Sequence, residues 1–158
     1  MFVPKQIERD GAGGVRLRFH EGEVLLLREL LDELEGLLED PDDPALRRLF
    51  PQAHDDPESD EQYRSLVRDQ LVTGREKAVT VVRETLEKDT LGPDEADAWL
   101  RALNDLRLVL GTRLDVTEDL DYENLDLNEP RGRDLAVYGY LSWLQEQFVE
   151  ALQPASGR

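Results

Sequence analysis

Cysteine is absent from the 158 residues of this chain, and histidine occurs only twice. Without cysteine these residues can form no disulfide framework, no thiol nucleophile and no cysteine-ligated zinc site. The segment that begins at His20 reads HEGEV and lacks the second histidine that a zinc-protease helix requires. The other histidine, His54, stands in a polar, acidic run. We therefore expect no metal centre and no cofactor.

Long hydrophobic runs are also missing. The most leucine-rich segment, residues 24–38, is interrupted by five charged side chains, as is typical of an amphipathic helix of a soluble protein. The first ten residues, MFVPKQIERD, lack the basic start, apolar run and small-residue cleavage site of a signal peptide. The sequence thus predicts a cytoplasmic protein that does not contact a membrane.

Basic residues are few. The chain has 19 lysines and arginines against 36 aspartates and glutamates, which gives a formal net charge of -17. A charge of this sign argues against direct binding to nucleic acid or to an anionic membrane. Two interpretations remain open, because excess acid can keep a protein soluble and monomeric or can attract a basic protein partner.

Recognisable catalytic motifs are absent as well. No serine stands in a nucleophile-elbow pattern, and the GAGG segment at residues 11–14 is not followed by the lysine and hydroxyl residue of a phosphate-binding loop. The acidic run at residues 119–123 resembles the start of a calcium loop. It then departs from that pattern, because Asn124 replaces the glycine of the tight turn and Pro130 replaces the closing glutamate. We expect no calcium or magnesium binding there.

One segment that the chain does contain is apolar nearly all round, residues 99–114, WLRALNDLRLVLGTRL. At about 100° per residue most of its apolar side chains share one broad face of a helix, while Leu108 lies opposite. The shared face comprises Trp99, Ala102, Leu103, Leu106, Val109, Leu110 and Leu114. Neighbours normally cover such a helix on several sides. We predict that it is the central helix and that it contacts the helices containing Leu30 and Phe148.

Five polar residues interrupt this central helix and form the candidate site: Arg101, Asn104, Asp105, Arg107 and Arg113. A guanidinium within an apolar stripe needs a carboxylate or a backbone acceptor. The five residues are first candidates for a buried polar network, which serves either as internal salt bridges or as a site for a ligand or partner. Arg107 lies among leucines and should be partly buried against a carboxylate or helix-end carbonyl groups.

The other elements are predicted from hydrophobic periodicity and from the residues that end each period. Residues 2–9 and 15–19 flank a glycine-rich turn and should form a hairpin that packs on the helices. Further helices are predicted at residues 21–39, 59–88 and 133–152. Pro44 should open a short turn anchored by Leu46, Leu49 and Phe50. Residues 115–129 read as an ordered acidic connection, because apolar side chains interrupt the acid.

Two features of the outer helices leave alternatives open. The helix at 59–88 has a predicted buried stripe made of Tyr63, Val67, Leu71, Gly74, Ala78 and Val82. Gly74 within that stripe either permits close approach of another helix or marks a break between two shorter helices. Tyr140 and Trp143 point away from the inner stripe of the last helix, so they either cover a second neighbour or belong to an exposed partner surface.

The predicted fold class is mainly α, a compact helical bundle around a central buried helix with a small N-terminal β-hairpin. A chain of this length suits one domain. We expect a single helical domain over residues 1–153 and a flexible tail over residues 154–158.

Three segments together resemble a known family. They are the N-terminal hairpin that leads into a leucine-rich helix, DPALRRLFP at residues 43–51, and above all the central helix at 99–114. The chain is similar here to uncharacterised actinobacterial proteins whose genes often lie beside the gene for the ClpS adaptor. The resemblance implies a cytoplasmic bacterial protein with a connection to regulated proteolysis. It implies no catalytic residues, since the family has no established activity.

These observations favour a non-enzymatic, protein-binding domain, a regulator or adaptor linked to protein turnover that presents an acidic surface to its partner. The alternative is an enzyme or metal-binding protein that uses the acidic connection at 115–129 and the arginines of the central helix. A subunit of a structural homo-oligomer is a third possibility. An enzyme should have a pocket where perturbed ionisable groups converge, whereas a binding module should have an exposed patch.

Overall fold

A computed structural model of the chain describes residues 6–11, 13–40, 43–49, 61–116 and 125–153, with the backbone alone at 61–64. Three short strands are present, β1 (Ile7–Arg9), β2 (Val15–Leu17) and β3 (Thr90–Leu91). The described residues also form four helices: α1 (Glu21–Leu38), α2 (Glu61–Thr85), α3 (Pro93–Leu114) and α4 (Pro130–Leu152). Strand β3 lies between α2 and α3 in the chain. A 3-10 turn, Pro44–Leu46, follows α1. The fold is mainly α, as predicted.

Helix α3 lies at the centre of the fold and contacts α1, α2, α4 and the 3-10 turn. Pro93 opens it, and the Glu95 carboxylate accepts a hydrogen bond from the Gly92 N–H at 3.0 Å, where the helix dipole favours an acid. Leu103 and Leu106 are only 2% and 6% exposed. The predicted central helix, with contacts to the helices containing Leu30 and Phe148, is confirmed.

The core is organised around one tryptophan of this helix. The Trp99 ring is stacked between Phe19 and Phe148, with 5.6 Å between ring centroids on each side. Its indole Nε1 donates to the Thr85 hydroxyl at 2.7 Å, so the one polar group of a fully buried side chain is satisfied. Trp99 thereby joins α2, α4 and the segment after β2 to the central helix.

The N-terminal hairpin is confirmed, but it belongs to a three-stranded antiparallel sheet in the order β1-β2-β3. Val15 of β2 pairs with Leu91 of β3, a strand that the sequence analysis did not identify because two residues show no periodicity. Gly14 makes this pairing possible. A Cβ at Gly14 would lie 1.9 Å from the Leu91 carbonyl oxygen, so only glycine allows the backbones to approach.

Helix α2 forms as predicted, but its predicted buried stripe is only partly buried. The buried residues cluster towards its C-terminal end, around Val79 and Val82, whereas Leu71 is 36% exposed. Gly74 is exposed, and a Cβ built there would meet no atom within 4 Å. The helix also continues through Gly74 without a break. Both interpretations of this glycine are therefore wrong, because the helix is unbroken and no neighbouring atom packs against this position.

Aromatic side chains on α4 take different environments. Tyr140 is half-buried, and its hydroxyl donates to Glu23 Oε2 at 2.5 Å, which ties α4 to the start of α1. Trp143 is 38% exposed, and its ring centroid lies 6.3 Å from that of Tyr140. Tyr140 thus covers a second neighbour, whereas Trp143 remains largely at the surface.

Several predictions fall outside the described residues. They concern His54, Phe50, the side chain of Tyr63, the calcium-like run at 119–123 and the tail at 154–158. Over the described ranges, no helix combines the length and the apolar character that crossing a membrane would require.

Candidate functional site

A surface groove runs between α2 and α3 and encloses about 340 Å³. We call it the α2–α3 groove. Its lining comes from both helices: Gln70, Leu71, Gly74, Arg75 and Ala78 of α2, and Arg101, Asn104 and Asp105 of α3. Gly74 keeps it open, because no side chain projects from that position. Three of the five residues predicted from the central helix therefore lie together in one concave feature.

Asp105 is the buried acid of this groove, since only 6% of the residue is exposed. Arg75 Nε lies 3.5 Å from its Oδ2 atom. The same arginine donates from Nη2 to the Leu49 carbonyl oxygen at 3.1 Å, so it connects α2 to α3 and to the segment after the 3-10 turn. Burial raises the pKa of Asp105 from 3.8 to about 6, because loss of hydration outweighs the attraction of Arg75 and Arg101.

A second polar cluster continues from the groove towards α4. Asn104 Oδ1 accepts a hydrogen bond from Gln145 Nε2 at 3.2 Å and a longer one from Arg107 Nη2 at 3.5 Å. We call Asn104, Arg107 and Gln145 the α3–α4 polar cluster. Its hydrogen bonding is incomplete, because Arg107 Nε and Gln145 Oε1 are buried without a partner among the residues that the structure describes. Such groups are costly to bury unless another molecule satisfies them.

The prediction that Arg107 is partly buried is confirmed. The prediction of its partner is wrong, because neither a carboxylate nor a helix-end carbonyl group takes that role among the described residues. Its one hydrogen bond goes to the side-chain amide of Asn104, one turn earlier in the same helix. Helical spacing places residues three apart on one face, so the local amide is the nearest acceptor that the guanidinium reaches.

The other two predicted site residues are exposed rather than part of a buried network. Arg101 forms an ion pair with Asp97, one turn away on the rim of the groove, with Arg101 Nε and Asp97 Oδ2 3.1 Å apart. Arg113 lies away from the groove, where its Nη1 atom is 3.6 Å from Glu33 Oε2 of α1. The structure therefore brings together Arg101, Asn104, Asp105 and Arg107, and it separates Arg113 from them.

Sequence reasoning missed two members of this region, Arg75 and Gln145. Arg75 lies four residues after Leu71 on the core-facing side of α2, so an arginine in phase with an apolar stripe was the available signal. Gln145 had no comparable signal, because its partner Asn104 is 41 residues away in the sequence. No group of three or more potential metal ligands is present in the part of the chain that the structure describes.

Comparison with known proteins finds one matching family and similar mycobacterial proteins. Residues 5–152 match the family described as a domain of unknown function, DUF2017. A putative oxidative stress regulator, AosR, of Mycobacterium leprae is 29% identical over 194 aligned positions, which cover 96% of this chain and 89% of that protein. The oxidative stress regulator AosR of Mycobacterium tuberculosis is 31% identical over 144 positions, which cover 80% of this chain and 66% of that protein. No solved structure matches significantly.

Proposed function

We propose that this chain, which belongs to the DUF2017 family, is a non-enzymatic regulatory protein that acts by binding a protein partner in the α2–α3 groove. The names of the mycobacterial relatives support a regulatory role. The groove supports the mode of action, because it is an open concave surface at which an apolar side chain, Leu71, is 36% exposed beside charged groups. An apolar contact flanked by polar groups suits recognition of another protein.

The composition of the groove favours binding over catalysis. Asp105 is the only carboxylate among the lining residues, which include no histidine and no lysine. Arg75 already pairs with this carboxylate, and no second titratable group faces it that could serve as its acid or base partner. The alternative of an enzyme that uses the central-helix arginines therefore has less support.

Filling the groove tests the proposal. Gly74→Trp adds a large side chain where a Cβ meets no atom within 4 Å, so the core is undisturbed while the groove is occupied. Gly36→Trp is the matched control, because Gly36 on α1 is equally exposed and equally free of neighbours. Proteins captured from cells by the three forms of the chain are then quantified by mass spectrometry.

We expect at least one protein to be captured by the wild type and by Gly36→Trp but lost with Gly74→Trp. Identical capture by all three forms would overturn the proposal. If the protein that is lost is the chain itself, the partner is a second copy, and size-exclusion chromatography with light scattering should show a dimer only for the two forms with an open groove.

A link to protein turnover is part of this proposal. It is supported by the resemblance of the chain to proteins encoded beside the gene for the ClpS adaptor. If the partner is a protein whose degradation the chain regulates, its half-life in a pulse–chase experiment should change when Gly74→Trp replaces the wild type. An unchanged half-life would limit the function to binding.

Any role of this chain in oxidative stress cannot depend on a thiol within its 158 residues. The chain has no cysteine, and its single methionine is Met1. Sulfur oxidation, the usual chemistry of protein oxidant sensors, is therefore unavailable to the described elements. Treatment of the chain with hydrogen peroxide should leave groove-dependent binding unchanged, so that an oxidant signal reaches it through the partner.

A further inference from the structure

We propose that Arg107, together with Asn104 and Gln145, receives a carboxylate from an acidic segment of the protein partner. This inference rests on the proposed function, since the α3–α4 polar cluster adjoins the α2–α3 groove through Asn104, which belongs to both. The occupant is thus an extended or helical peptide segment that fills the groove and carries an aspartate or glutamate at its α4 end.

The first argument comes from the pairing of arginines. Four arginines are half-buried among the residues whose side chains the structure describes, namely Arg28, Arg75, Arg83 and Arg107. Three of them have a carboxylate within 4 Å: Glu87 for Arg28, Asp105 for Arg75, and both Asp32 and Glu35 for Arg83. Arg107 has none among the described residues, although the chain is strongly acidic. A partly desolvated guanidinium gains more from an added carboxylate than an exposed one does.

The second argument comes from hydrogen bonding. A guanidinium carries five N–H donors, and the only hydrogen bond that Arg107 makes to a described residue is the one to Asn104, at 3.5 Å. Its Nη1 and Nη2 atoms can donate two parallel bonds to a carboxylate, a geometry that lysine cannot reproduce. The amide of Gln145 is held beside them by its bond to Asn104 and can adjust to an added oxygen.

The third argument comes from local charge. Arg75, Arg101 and Arg107 lie along this side of α2 and α3, where the nearby carboxylates, Asp97 and Asp105, are each paired with one of the first two. Of these three arginines, Arg107 is the one whose positive charge is not paired with a described carboxylate. In a chain of formal charge -17 most of the surface repels an acidic segment, so this region is where one is attracted. The partner that fits here is acidic at the contact, in contrast to the basic partner that the net charge alone suggested.

Peptide display tests the inference and the proposed function separately. A library of random 12-residue peptides is selected on the wild-type chain, and binders are screened against Gly74→Trp to keep those that occupy the groove. We expect these to share an aspartate or glutamate at one position. Replacing that residue by its amide should weaken binding to the wild type about tenfold, the loss expected for one charge-assisted contact.

Variants of the chain show which arginine binds the carboxylate of the peptide. Arg107→Gln should weaken binding of the acidic peptide about tenfold and leave binding of its amide form unaffected. Arg107→Glu should instead select peptides with lysine or arginine at that position. Arg113→Gln is the matched control and should change neither peptide, because Arg113 lies away from the groove. Circular dichroism of each variant checks that the fold is retained.

Two outcomes would overturn one proposal or both. Groove-dependent peptides with no acidic position, or equal affinity for wild type and Arg107→Gln, would refute the carboxylate site and leave the groove as a binding surface. A library that yields no peptide sensitive to Gly74→Trp would refute both the proposed function and this inference.

Discussion

At the scale of single residues, Asp105 is the only ionisable side chain that is buried in the described part of the chain. Its pKa of about 6 in the folded protein lies above its ordinary value of 3.8, so the folded state binds more protons than the unfolded state between those values. The contribution of Asp105 to the free energy of unfolding is therefore complete at low pH and declines as the pH rises to about 6, by about 3 kcal/mol.

Asp105→Asn should remove this pH dependence, because the amide has nearly the same shape and does not ionise. In urea unfolding between about pH 4 and pH 7, the variant should become more stable relative to wild type as the pH rises. Asp97→Asn, which changes an exposed carboxylate on the same helix, is the matched control because it retains the buried acid. If the difference in free energy of unfolding between Asp105→Asn and wild type stays constant over this pH range, Arg75 fully compensates the burial of the acid.

Two glycines should respond in opposite ways to alanine. A Cβ at Gly132 would lie 1.9 Å from the Asp126 carbonyl oxygen, so Gly132→Ala must displace the segment that precedes α4. Gly36 is exposed within α1 and has no neighbour within 4 Å, so Gly36→Ala should stabilise by about 1 kcal/mol through helix propensity. Thermal unfolding should show a lower midpoint for the first variant and a higher one for the second. Similar midpoints would contradict the close approach at Gly132.

At the scale of elements, α3 is expected to account for much of the stability because it contacts every other helix. Leu106→Ala should cost about 2–5 kcal/mol, the usual range for removing a large buried side chain. Leu25→Ala on α1 is the matched control and should change little, because Leu25 is 57% exposed. Denaturant unfolding of both variants measures the difference. A loss below about 1 kcal/mol for Leu106→Ala would show that the core relaxes into the space.

Helix α2 shows how well hydrophobic periodicity predicts which residues of a helix are buried. Its apolar stripe predicts which face turns towards α3, and that face is correct from Ala78 to Val82. Periodicity contains no information on how closely the neighbouring helix packs at each turn. The turn that contains Leu71 and Gly74 therefore looks like core in the sequence, although in the structure it lines an open groove.

At the scale of the whole molecule, the formal charge of -17 should make stability depend on ionic strength. Repulsion among surface carboxylates destabilises the compact state, and salt screens it. The free energy of unfolding should therefore rise as sodium chloride increases from about 0.02 to 0.5 M, because the screening length becomes shorter. A stability that falls with salt would mean that the surface ion pairs outweigh the repulsion.

A variant with four exposed glutamates changed to glutamine separates screening from general salt effects. Suitable positions are Glu29, Glu76, Glu84 and Glu146. Because each repulsion is worth about 0.2–0.5 kcal/mol, this variant should be more stable than wild type at low salt and should depend less on salt. Equal salt dependence of the two proteins would assign the effect to the salt and not to the charge.

Elements with local signals could be predicted from the sequence. Apolar spacing was enough to locate the central helix at residues 99–114, within the observed Pro93–Leu114, and the helix predicted at residues 21–39 is observed at Glu21–Leu38. These features depend on residues a few positions apart, whose interactions are present in the helix itself. The identity of the candidate residues on α3 was likewise available, because a polar group in an apolar stripe is visible in the sequence.

Which of these residues act together depends on how distant parts of the chain pack. The pairing of Arg75 with Asp105 and of Asn104 with Gln145 joins positions that are far apart in the chain. Strand β3 exists only because β2 lies beside it. The α2–α3 groove depends on how closely the two helices pack. Arg107 has no carboxylate partner among the described residues, because none of the described elements brings one near. Such distances follow from the packing of whole elements, which no local pattern encodes.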